Sequence, residues 1–521
     1  MQILNSKILL CKNINVDKDY INVLDYSESQ MLALCQSSEH LIASRDHYSF
    51  IRNKGTISTD FTYEQCLQAN YIAFQNSDYS NKWFFAFIDD VIYNGEANTE
   101  LKYTVDVWST WFDNWTPKSC YVVREHVTDD TVGLYTQPEG LELGEYIIDS
   151  VDSMTELNNY VMVLRVSKWL ESSGGGTPLA TNYGGVYCSG GAYIFSNITD
   201  LVNVIEAYGQ GFNDALIDAY LIPSKIIEQS QLSLQYPGQN APKTVTKYIT
   251  KPSTLNGYTP VNNKLLTFPF CFLNVDNNNG TTNSYMYELF SGTGEGHTND
   301  CKFVAKGVPV IGGSIKCNPI NYKCYASGGV TVESEGIMGG KYPALSWSED
   351  EYTNWLTQNA VNLGVGVTTD VTVFASSLLT GNVAGAVSSS ISMANRVGQI
   401  YQHSLVPRSS QGNTNGGDIN VSSSANTFFF YKMSIRQEYA RIIDDYLTRF
   451  GYKINRVKTP NFSGRTYWNY VEIGPSEEIG YGDVPSKYME EINQACKNGV
   501  TIWHDHANIG NYALSNTIVS T

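Results

Sequence analysis

Short runs of alternating apolar and polar residues follow one another along the first 150 positions of the chain. The clearest runs are Tyr71 to Phe74, Trp83 to Ile88, Leu101 to Trp108 and Tyr121 to His126, with polar turns between them. A period of two predicts β-strands that each bury one face. We therefore expect a β-barrel or β-sandwich in this part of the chain.

The C-terminal part of the chain contains both the alternating pattern of strands and the spacing of apolar residues that is typical of helices. Phe428 to Met433 is typical of a strand, whereas apolar residues over Ile435 to Phe450 recur at helical spacing up to Gly451, a residue type that commonly ends helices. A second helix is predicted from Ser486 to Lys497, and strand-like Val500 to His504 follows it. These elements predict a compact α+β arrangement.

Residues 151–345 show a less regular pattern. Strand-like sequence begins near Val161, and breaks rich in Gly, Ser and Asn, such as Asp276 to Gly280, interrupt it. One helix is predicted at Asp200 to Tyr208. We expect one or more loop-rich β domains in this region.

From Tyr352 to Asn395 the chain contains a single charged residue, Asp370. Residues 371–395 carry no charge, and their length suffices for a spanning helix of about 20 residues. Serines dilute the apolar character, so several copies would turn their hydroxyls toward one another or toward a water-filled lumen, which favours an oligomeric pore over a single anchor. A flexible loop, or a helix buried in an ordinary core, explains the stretch equally well.

The apolar and small residues of this stretch are the candidates for a membrane-penetrating loop. Its flanks favour an excursion from a structured body, because Ser346 to Gln358 is typical of a capped helix start and residues 407–427 form a polar tether. The candidates are Val361, Leu363, Val365, Val367, Val371, Val373, Phe374, Leu378, Leu379, Gly381, Val383, Gly385, Val387, Ile391 and Met393.

Composition supports a mainly β protein of the α+β class that does not bind nucleic acid tightly. Tyr (36) and Gly (43) are abundant and only 16% of residues are charged, which is typical of turn-rich β proteins. The 34 Lys and Arg against 51 Asp and Glu give a net charge of −17, without a cluster of cations. Proteins that bind DNA tightly neutralise phosphates with clustered cations, so this composition excludes that class. An acidic surface would instead let DNA pass without sticking.

The cysteines are scattered and contain no CxxC pair. The N-terminus has only a short apolar patch, too short for the apolar region of a signal peptide. We therefore predict free thiols in a protein made in the cytoplasm. The cysteines are Cys11, Cys35, Cys66, Cys120, Cys188, Cys271, Cys301, Cys317, Cys324 and Cys496.

Three local motifs were weighed as sites of chemistry. His504 to His506 could supply metal ligands, but exposed polar residues after a strand are the commoner origin of such a pattern. Arg124 to His126 cannot act as a triad, because neighbours on a strand face opposite sides, and a structural ion pair or a subunit contact is the better interpretation. The glycines of Gly292 to Gly296 lack the spacing of a phosphate loop.

Paired carboxylates for sugar cleavage could be drawn from many positions of an acidic protein, and their spacing selects no pair. We therefore predict that the chain is not an enzyme and that it needs neither a cofactor nor a metal. The carboxylates considered are Asp89, Asp90, Asp129, Asp130, Asp444 and Asp445.

Ten short sequence motifs near the two chain ends occur together in a fixed order. They are Tyr71 to Phe84, Val105 to Trp111, Tyr121 to Val127, Glu139 to Leu141, Tyr439 to Arg441, Phe450 to Lys458, Pro460 to Asn461, Trp468 to Val471, Asn498 to His504 and Ile509 to Tyr512. In this combination the chain resembles the distal tail-knob proteins of short-tailed phages of the phi-29 type. The resemblance covers roughly the first 150 and the last 90 residues.

The resemblance implies a hexameric tube at the tip of a virion tail. Residues 1–150 and 428–521 would form the tube wall, residues 151–345 the outer loop-rich β domains, and residues 346–427 the apolar loop and its tether. In that family the loop, which corresponds to Asn354 to Pro407, plugs the lumen and then forms a channel in the host membrane.

The resemblance also implies the partners of the chain. These are other copies of itself in a homo-hexamer, upper tail or collar proteins of the virion, the host cytoplasmic membrane, and passing double-stranded DNA without specific binding. An alternative function is a tail-tip adhesin or a cell-wall-degrading enzyme in which residues 150–345 bind or cut a surface polymer. Tyr and Trp side chains suit stacking on sugars, but they suit β cores equally well.

Overall fold

The computed structural model describes the chain in segments, which divide into two compact units. Unit 1 comprises Met1–Gly144, Tyr258–Leu265 and Gln437–Thr521, and unit 2 comprises Glu145–Gly257 and Leu266–Arg436. The described residues are 6–51, 55–76, 81–96, 98–158, 160–166, 181–183, 186–188, 191–195, 216–226, 244–277, 280–292, 297–307, 314–323, 335–341, 344–346 and 427–519.

The N-terminal part of unit 1 consists mainly of strands. All four runs of alternating residues form strands as predicted, but the third ends at Val105 because Asp106 caps a short helix there by accepting a hydrogen bond from the backbone N–H of Ser109. The elements are β1 (Ser6–Cys11), β2 (Asn22–Leu24), α1 (Glu28–Gln36), β3 (Leu41–Arg45), β4 (Ser49–Ile51), β5 (Thr56–Thr59), α2 (Tyr63–Leu67), β6 (Tyr71–Asn76), β7 (Trp83–Gly95), β8 (Asn98–Val105), α3 (Val107–Trp111), β9 (Trp115–Pro117) and β10 (Cys120–Glu125).

Unit 2 is built from strands and short turns, as the loop-rich pattern of the middle region predicts. Its strands are β11 (Tyr146–Ser153), β12 (Tyr160–Val166), β13 (Thr181–Tyr183), β14 (Val186–Cys188), β15 (Gly191–Phe195), β16 (Leu216–Pro223), β17 (Thr244–Thr250), β18 (Cys271–Asp276), β19 (Thr282–Tyr285), β20 (Asp300–Gly307), β21 (Ser314–Pro319), β22 (Ile337–Lys341), β23 (Ala344–Ser346) and β24 (Phe429–Ile435).

The C-terminal part of unit 1 contains the two predicted helices and the strand that follows them. Its elements are α4 (Gln437–Phe450), β25 (Tyr452–Lys458), β26 (Trp468–Ile473), β27 (Gly480–Gly482), α5 (Ser486–Asn498) and β28 (Val500–Trp503). Turns of 3₁₀ helix in the two units are Phe112–Asn114, Thr155–Asn158, Ser224–Ile226, Asn263–Leu266, Tyr287–Leu289 and His506–Asn508.

One sheet of unit 1 has seven antiparallel strands in the order β3-β1-β6-β7-β8-β5-β4. Apolar residues cover both of its faces. In β1, Leu9 and Cys11 pack into one hydrophobic cluster, whereas Ile8 and Leu10 pack into another. Successive strand residues point to opposite faces, so the continuous apolar run of β1 supplies both clusters.

A second sheet of unit 1 joins the two ends of the chain, in the order β2-β28-β26-β10-β25. Its strands β2 and β28 are parallel, with Asn22 beside Thr501. Trp468 and Trp503 are fully buried with ring centroids 5.1 Å apart, and they pack in the same cluster as Leu9. The N-terminal and C-terminal parts therefore share one core.

Helix α4 buries Ile443 and Leu447 as its spacing predicts, and also Ala440, whereas Ile442 is 67% exposed although it belongs to the same predicted pattern. Gly451 ends the helix as predicted, with φ at +66° and its N–H donating to the carbonyl oxygen of Leu447. A Cβ atom at this position would clash with the carbonyl oxygen of Glu125. Glycine is thus required both by the left-handed backbone and by the close approach of β10.

Unit 2 contains the sheets β11-β24-β18-β19, β17-β20-β21-β22 and β15-β12-β16-β23, and the pair β13-β14. Strand β24, which the sequence analysis grouped with the C-terminal part, lies in unit 2 because it pairs with β11 on one edge and with β18 on the other. Phe303 and Phe430 form part of the core, with ring centroids 5.0 Å apart.

The mainly β, α+β fold class is confirmed. Free thiols are also confirmed for the eight cysteines whose side chains the structure describes, all of them buried. The helix predicted at residues 200–208 lies outside the described residues. The assignment of residues 1–150, 151–345, 346–427 and 428–521 to tube wall, outer domains, loop and tube wall stays a prediction.

Candidate functional site

The predicted membrane-penetrating residues, from Val361 to Met393, lie outside the described part of the chain, as does the whole segment 354–407. Their role stays a prediction. Over the residues that the structure does describe, no helix combines the length and apolar character needed to cross a membrane. The candidate site is therefore built from two features of unit 1, a buried polar network and a strand edge.

The buried polar network holds segments from three parts of the sequence together within unit 1. It includes the motif Arg124 to His126, at the end of β10, and carboxylates that neighbouring segments contribute. Its titratable members are Arg124, Glu125, His126, Asp130, Glu139, Lys264 and Asp444.

Glu139 is the centre of this network. Its side chain is 1% exposed and forms ion pairs with both Arg124 and Lys264, which are themselves buried. The Glu139 carboxylate also accepts a hydrogen bond of 3.0 Å from the backbone N–H of Lys453, and Arg124 donates to the carbonyl oxygen of Gly451 at 2.8 Å. Burial lowers the pKa of Lys264, and the charge of Glu139 opposes this shift.

Glu125 and His126 have partners that differ from those of Arg124. Glu125 pairs with Lys458 and accepts from the backbone N–H of Asn461 at 3.0 Å. The Nδ1 atom of His126 accepts from the N–H of Tyr470 at 2.8 Å, so its proton lies on Nε2, which is 3.0 Å from the carbonyl oxygen of Thr448. The motif therefore forms structural ion pairs and hydrogen bonds, which confirms the first of its two interpretations.

Burial lowers the pKa of His126 to about 3, and the nearby guanidinium groups of Arg465 and Arg124 act in the same direction. The hydrogen bonds require a neutral imidazole, and burial together with the nearby guanidinium groups favours the same neutral form. A neutral imidazole with both nitrogen atoms engaged holds β26 and α4 in place, but it has no free atom with which to accept a substrate proton.

Asp444, on α4, holds the segment Tyr258–Leu265. Its carboxylate accepts from the hydroxyl of Tyr258 and from the backbone N–H of Val261, both at 2.7 Å, and from the N–H and side-chain amide of Asn262. Asp130 holds the next residue, Asn263, through its N–H at 2.9 Å. These carboxylates replace the water that the segment's backbone would otherwise bind.

The remaining carboxylates considered for sugar cleavage have ordinary structural surroundings. Asp89 pairs with Lys18, Asp90 pairs with Lys102, Asp129 accepts from Thr131 in a turn, and Asp445 is exposed. Asp89, Asp90 and Asp129, like Asp130 and Asp444, therefore have partners within unit 1.

His504 and His506 do not share a set of ligands. The Nδ1 atom of His504 is 2.6 Å from a carboxylate oxygen of Asp25, and Nε2 of His506 accepts from the N–H of Asn15 at 3.1 Å. The side chain of His504 is 17% exposed and His506 is 7% exposed, so the expectation that these are exposed residues is wrong. Among the residues that the structure places, no group of three metal-ligating side chains comes together.

The second feature is an open strand edge on the hairpin of β7 and β8. Strand β6 pairs with β7 only between Trp83 and Phe87, whereas β8 follows β7 as far as Gly95. Over residues 90–93, β7 is paired on one edge only within the described structure, and Tyr93 is 60% exposed there. An edge of this kind can accept a strand from another chain.

Two family models match the chain. One, described as the C-terminal domain of the Bacillus phage phi29 tail knob protein gp9, matches residues 237–517. The other, described as the N-terminus of the caudoviral major tail protein, matches residues 4–116. The first of these matches covers more than half of the chain.

Similar proteins include tail knob proteins gp9 of two Bacillus phages. The protein of phage phi29 is 23% identical over 90% of this chain and 91% of its own length, and that of phage PZA is 24% identical over the same shares. The solved structure of the bacteriophage C1 tail knob protein gp12 matches with a TM-score of 0.62 at 15% identity, covering 99% of this chain and all of that one. The similarity therefore extends across the middle region, beyond the two ends that carry the motifs.

Proposed function

The chain belongs to the family of the phi29 tail knob protein gp9, and from this premise we propose that six copies form a tube at the tail tip through which DNA leaves the virion. In the proposal, the apolar loops plug the lumen and then open the host cytoplasmic membrane. The family match over residues 237–517 is the observation that carries it. Independently of this proposal, the chain is a structural tail knob protein of the virion.

The open edge of β7 supports assembly into a ring. Strand pairing between copies would give backbone groups of residues 90–93 partners that β6 does not supply, and it would replace the bond by which the N–H of Val91 donates to the Asp90 carboxylate. A head-to-tail contact of this kind closes into a ring when the rotation between neighbours divides a full turn. Upper tail or collar proteins of the virion would then cap one end of the ring.

The charge of the chain supports passage of DNA without binding. At a net charge of −17 and with no cluster of cations in the sequence, a lumen lined by this chain would repel phosphates. The buried polar network supports a structural role, because its carboxylates already accept hydrogen bonds from the protein's own backbone. We propose no catalytic residue.

The loop proposal rests on the uncharged residues 371–395 and on the family resemblance of the segment that contains them. Several copies would satisfy their backbone groups within helices and turn their serine hydroxyls toward one another. The test is dye release from liposomes by the full-length protein, compared with a variant that lacks residues 360–400. We expect release from the intact protein and none from the deletion.

A variant of unchanged length gives a sharper comparison. Leu378→Asp together with Leu379→Asp should abolish release, since each buried carboxylate opposes insertion by about 2.5–3.5 kcal/mol. Asn413→Asp together with Asn415→Asp places the same charges in the polar tether and should leave release intact. Equal release from all four proteins would reject the loop assignment, and no release from any of them would reject the pore.

Assembly can be tested independently of the loop. Tyr93→Lys puts a charge on the open edge of β7 and should shift the protein from hexamer to monomer in mass photometry. Leu67→Lys places the same charge on α2 at an equally exposed residue and should leave the hexamer unchanged. An unaltered protein that is monomeric at micromolar concentration would contradict the ring.

A further inference from the structure

His504 follows β28 directly, at the point where the pairing of that strand with β2 ends. The last pair of the parallel ladder is Leu24 opposite Trp503, and the N–H of Asp25 still donates to the carbonyl oxygen of Trp503 at 3.2 Å. Asp25 and His504 are therefore the next residues in this register. Their side chains meet, with a carboxylate oxygen of Asp25 2.6 Å from Nδ1 of His504.

The second ring nitrogen of His504 contacts β26. Nε2 lies 3.1 Å from the side-chain oxygen of Asn469, and the backbone N–H of His504 donates to the carbonyl oxygen of Tyr467 at 3.0 Å. One imidazole thus bridges three segments, namely the residue after β2, the start of β26 and the end of β28. The side chains of His504 and Asp25 are 17% and 26% exposed, so water competes little for these contacts.

The orientation of the Asn469 amide decides which atom the imidazole meets. The amide nitrogen donates to the carbonyl oxygen of Asn461 at 3.2 Å, and the amide oxygen accepts from the backbone N–H of Arg465 at 3.1 Å. The reversed amide would set an oxygen against the Asn461 carbonyl and an NH₂ group against the Arg465 N–H, so both contacts would be repulsive. The atom that faces Nε2 of His504 is therefore an oxygen, which can only accept.

Both ring nitrogens of His504 consequently face acceptors, because an ionised carboxylate and an amide oxygen each accept only. A neutral imidazole carries one N–H, so its other nitrogen would point a lone pair at an oxygen 2.6 or 3.1 Å away. An imidazolium carries two N–H groups and satisfies both contacts. Hydrogen bonds to the charged form of a group favour that form. The contacts therefore fit the imidazolium and not the neutral ring.

Asp25 is the carboxylate that faces His504, and neighbouring charged groups have other partners. Asp505 accepts hydrogen bonds within its own turn, and the guanidinium group of Arg465 donates to a backbone carbonyl oxygen. His506 accepts through Nε2 from a backbone N–H, so it is neutral. The titratable groups on the surrounding elements are Asp25, Tyr26, His126, Arg465, Asp505 and His506.

His126 has the opposite protonation, although it lies close to His504. Its Nδ1 atom accepts from the N–H of Tyr470, the residue after Asn469 in β26. Burial is the main cause that lowers the pKa of His126, and the charges of Arg465 and His504 act in the same direction. A cation at His504 therefore helps to keep His126 neutral.

We propose that His504 is an imidazolium in the folded protein and acts as a proton-dependent clamp between the two ends of the chain. While both nitrogens carry protons, the ring holds the segment after β2 against β26 and β28. Strand β2 has three residues, and its ladder partner in the described structure is β28, so β2 is the element that loss of the clamp would release.

The direction of the pH dependence follows from the unfolded chain. An unfolded histidine is neutral above about pH 6.5, so above this pH the folded protein binds a proton that the unfolded chain does not. The contribution of the clamp to stability is complete below about pH 6.5 and is lost as the pH rises above it. This sign is opposite to that expected for a histidine that is buried in the neutral form.

The protonation state is tested by magic-angle-spinning ¹⁵N NMR of the full-length protein labelled at histidine, a method that large assemblies do not limit. At about pH 7.5 we expect protons on both nitrogens of His504 and on one nitrogen of His126. His504→Gln identifies the His504 signals by their loss. In Asp25→Asn an amide N–H can donate to Nδ1, so His504 should become neutral. An unprotonated nitrogen at His504 in the unaltered protein would overturn the proposal.

The clamp itself is tested by hydrogen exchange with mass spectrometry. Protection of the backbone amides of β2 and Asp25, corrected for the intrinsic pH dependence of exchange, should fall by about tenfold between pH 7 and pH 8. His504→Gln and Asp25→Asn should lower this protection at pH 7 and remove its pH dependence, because neither variant takes up the proton. His47→Gln, at a side chain that is 67% exposed, and Asp19→Asn, at an exposed residue, should change neither.

Protection that does not change with pH in the unaltered protein, or that changes equally in His504→Gln, would also overturn the proposal. Asp25→Asn provides the same comparison if His504→Gln does not fold. The clamp is independent of the tube and the pore, since neither the open edge of β7 nor residues 360–400 take part in it. Its failure would leave both of those proposals standing.

Discussion

The buried polar network of unit 1 and the Tyr287 hydroxyl of unit 2 are equally hidden from water but differ in their partners. In the network, carboxylates accept backbone and side-chain hydrogen bonds and pair with buried cations. The Tyr287 hydroxyl has no partner in the described structure. A buried polar group with partners stabilises the fold, whereas one without partners weakens it unless something else binds there.

The largest effect expected is that of Glu139→Gln in unit 1. It leaves Arg124 and Lys264 buried without their carboxylate, and breaking a buried pair in this way costs about 3–5 kcal/mol of the free energy of unfolding. Urea unfolding followed by tryptophan fluorescence measures it. The control Glu142→Gln, at an exposed residue of the same segment, should change little, and equal effects of the two would show that Glu139 is not central.

The second effect is a pH dependence that His126 produces. Its pKa in the folded state is lowered from 6.5 to about 3, so between these values the unfolded chain binds a proton that the folded chain does not. The contribution of His126 to the free energy of unfolding is complete above pH 6.5. It falls by about 1.4 kcal/mol for each pH unit below that value, or by about 3 kcal/mol at pH 4.

His126→Gln should remove this part of the pH dependence. The difference in unfolding free energy between the unaltered protein and the variant should therefore shrink steadily from pH 6.5 to pH 4. His47→Gln, at a side chain that is 67% exposed, is the control. A difference that stays constant over this range would mean that His126 is not held neutral.

A smaller loss is expected from Asp444→Asn. The amide presents one acceptor atom where the carboxylate presents two, so part of the hydrogen bonding to Tyr258–Leu265 is lost, at a cost of about 2 kcal/mol. Differential scanning calorimetry measures it. Asp445→Asn changes the exposed neighbouring residue, and a similar loss there would point to the net charge of α4 rather than to the network.

The smallest loss is expected from Tyr287→Phe, and it sharpens the comparison most. With no partner to lose, this variant should leave the free energy of unfolding unchanged or raise it, whereas Tyr285→Phe should lose about 1 kcal/mol with its hydrogen bond to Glu335. Denaturant unfolding of both variants tests it. Equal losses would show that the two hydroxyls are equally well bonded.

The alternating and helical patterns predicted strands β6, β7, β8 and β10, helices α4 and α5, and the role of Gly451, because each depends on neighbours in sequence. The buried polar network could not be predicted in the same way. Glu125 pairs with Lys458, and Arg124 bonds to Gly451, across more than 300 residues. The motif Glu139 to Leu141 is one of those that resemble the tail-knob family, but no neighbouring residue in the sequence indicated that Glu139 is buried.

A β-bulge in unit 2 was missed for a related reason. The bulge at Asp149 exists only in the register between β11 and β24, and β24 begins well over 200 residues later in the chain. The sequence shows an ordinary carboxylate in a strand. Tyr287 likewise becomes unusual only when every possible partner has been placed around it, whereas 36 tyrosines in the sequence look alike.

The parallel pairing of β2 with β28 also sets the order of events during synthesis. A ribosome adds about 5–20 residues per second, so the emerging Asn22 waits on the order of half a minute or longer for Thr501. Unit 2 is complete by Arg436 and can fold while unit 1 still lacks its final strands. The nascent N-terminal sheet must remain soluble through that interval without Trp468 and Trp503, which complete the hydrophobic cluster on one of its faces, and this makes it the stage at which a chaperone would be most useful.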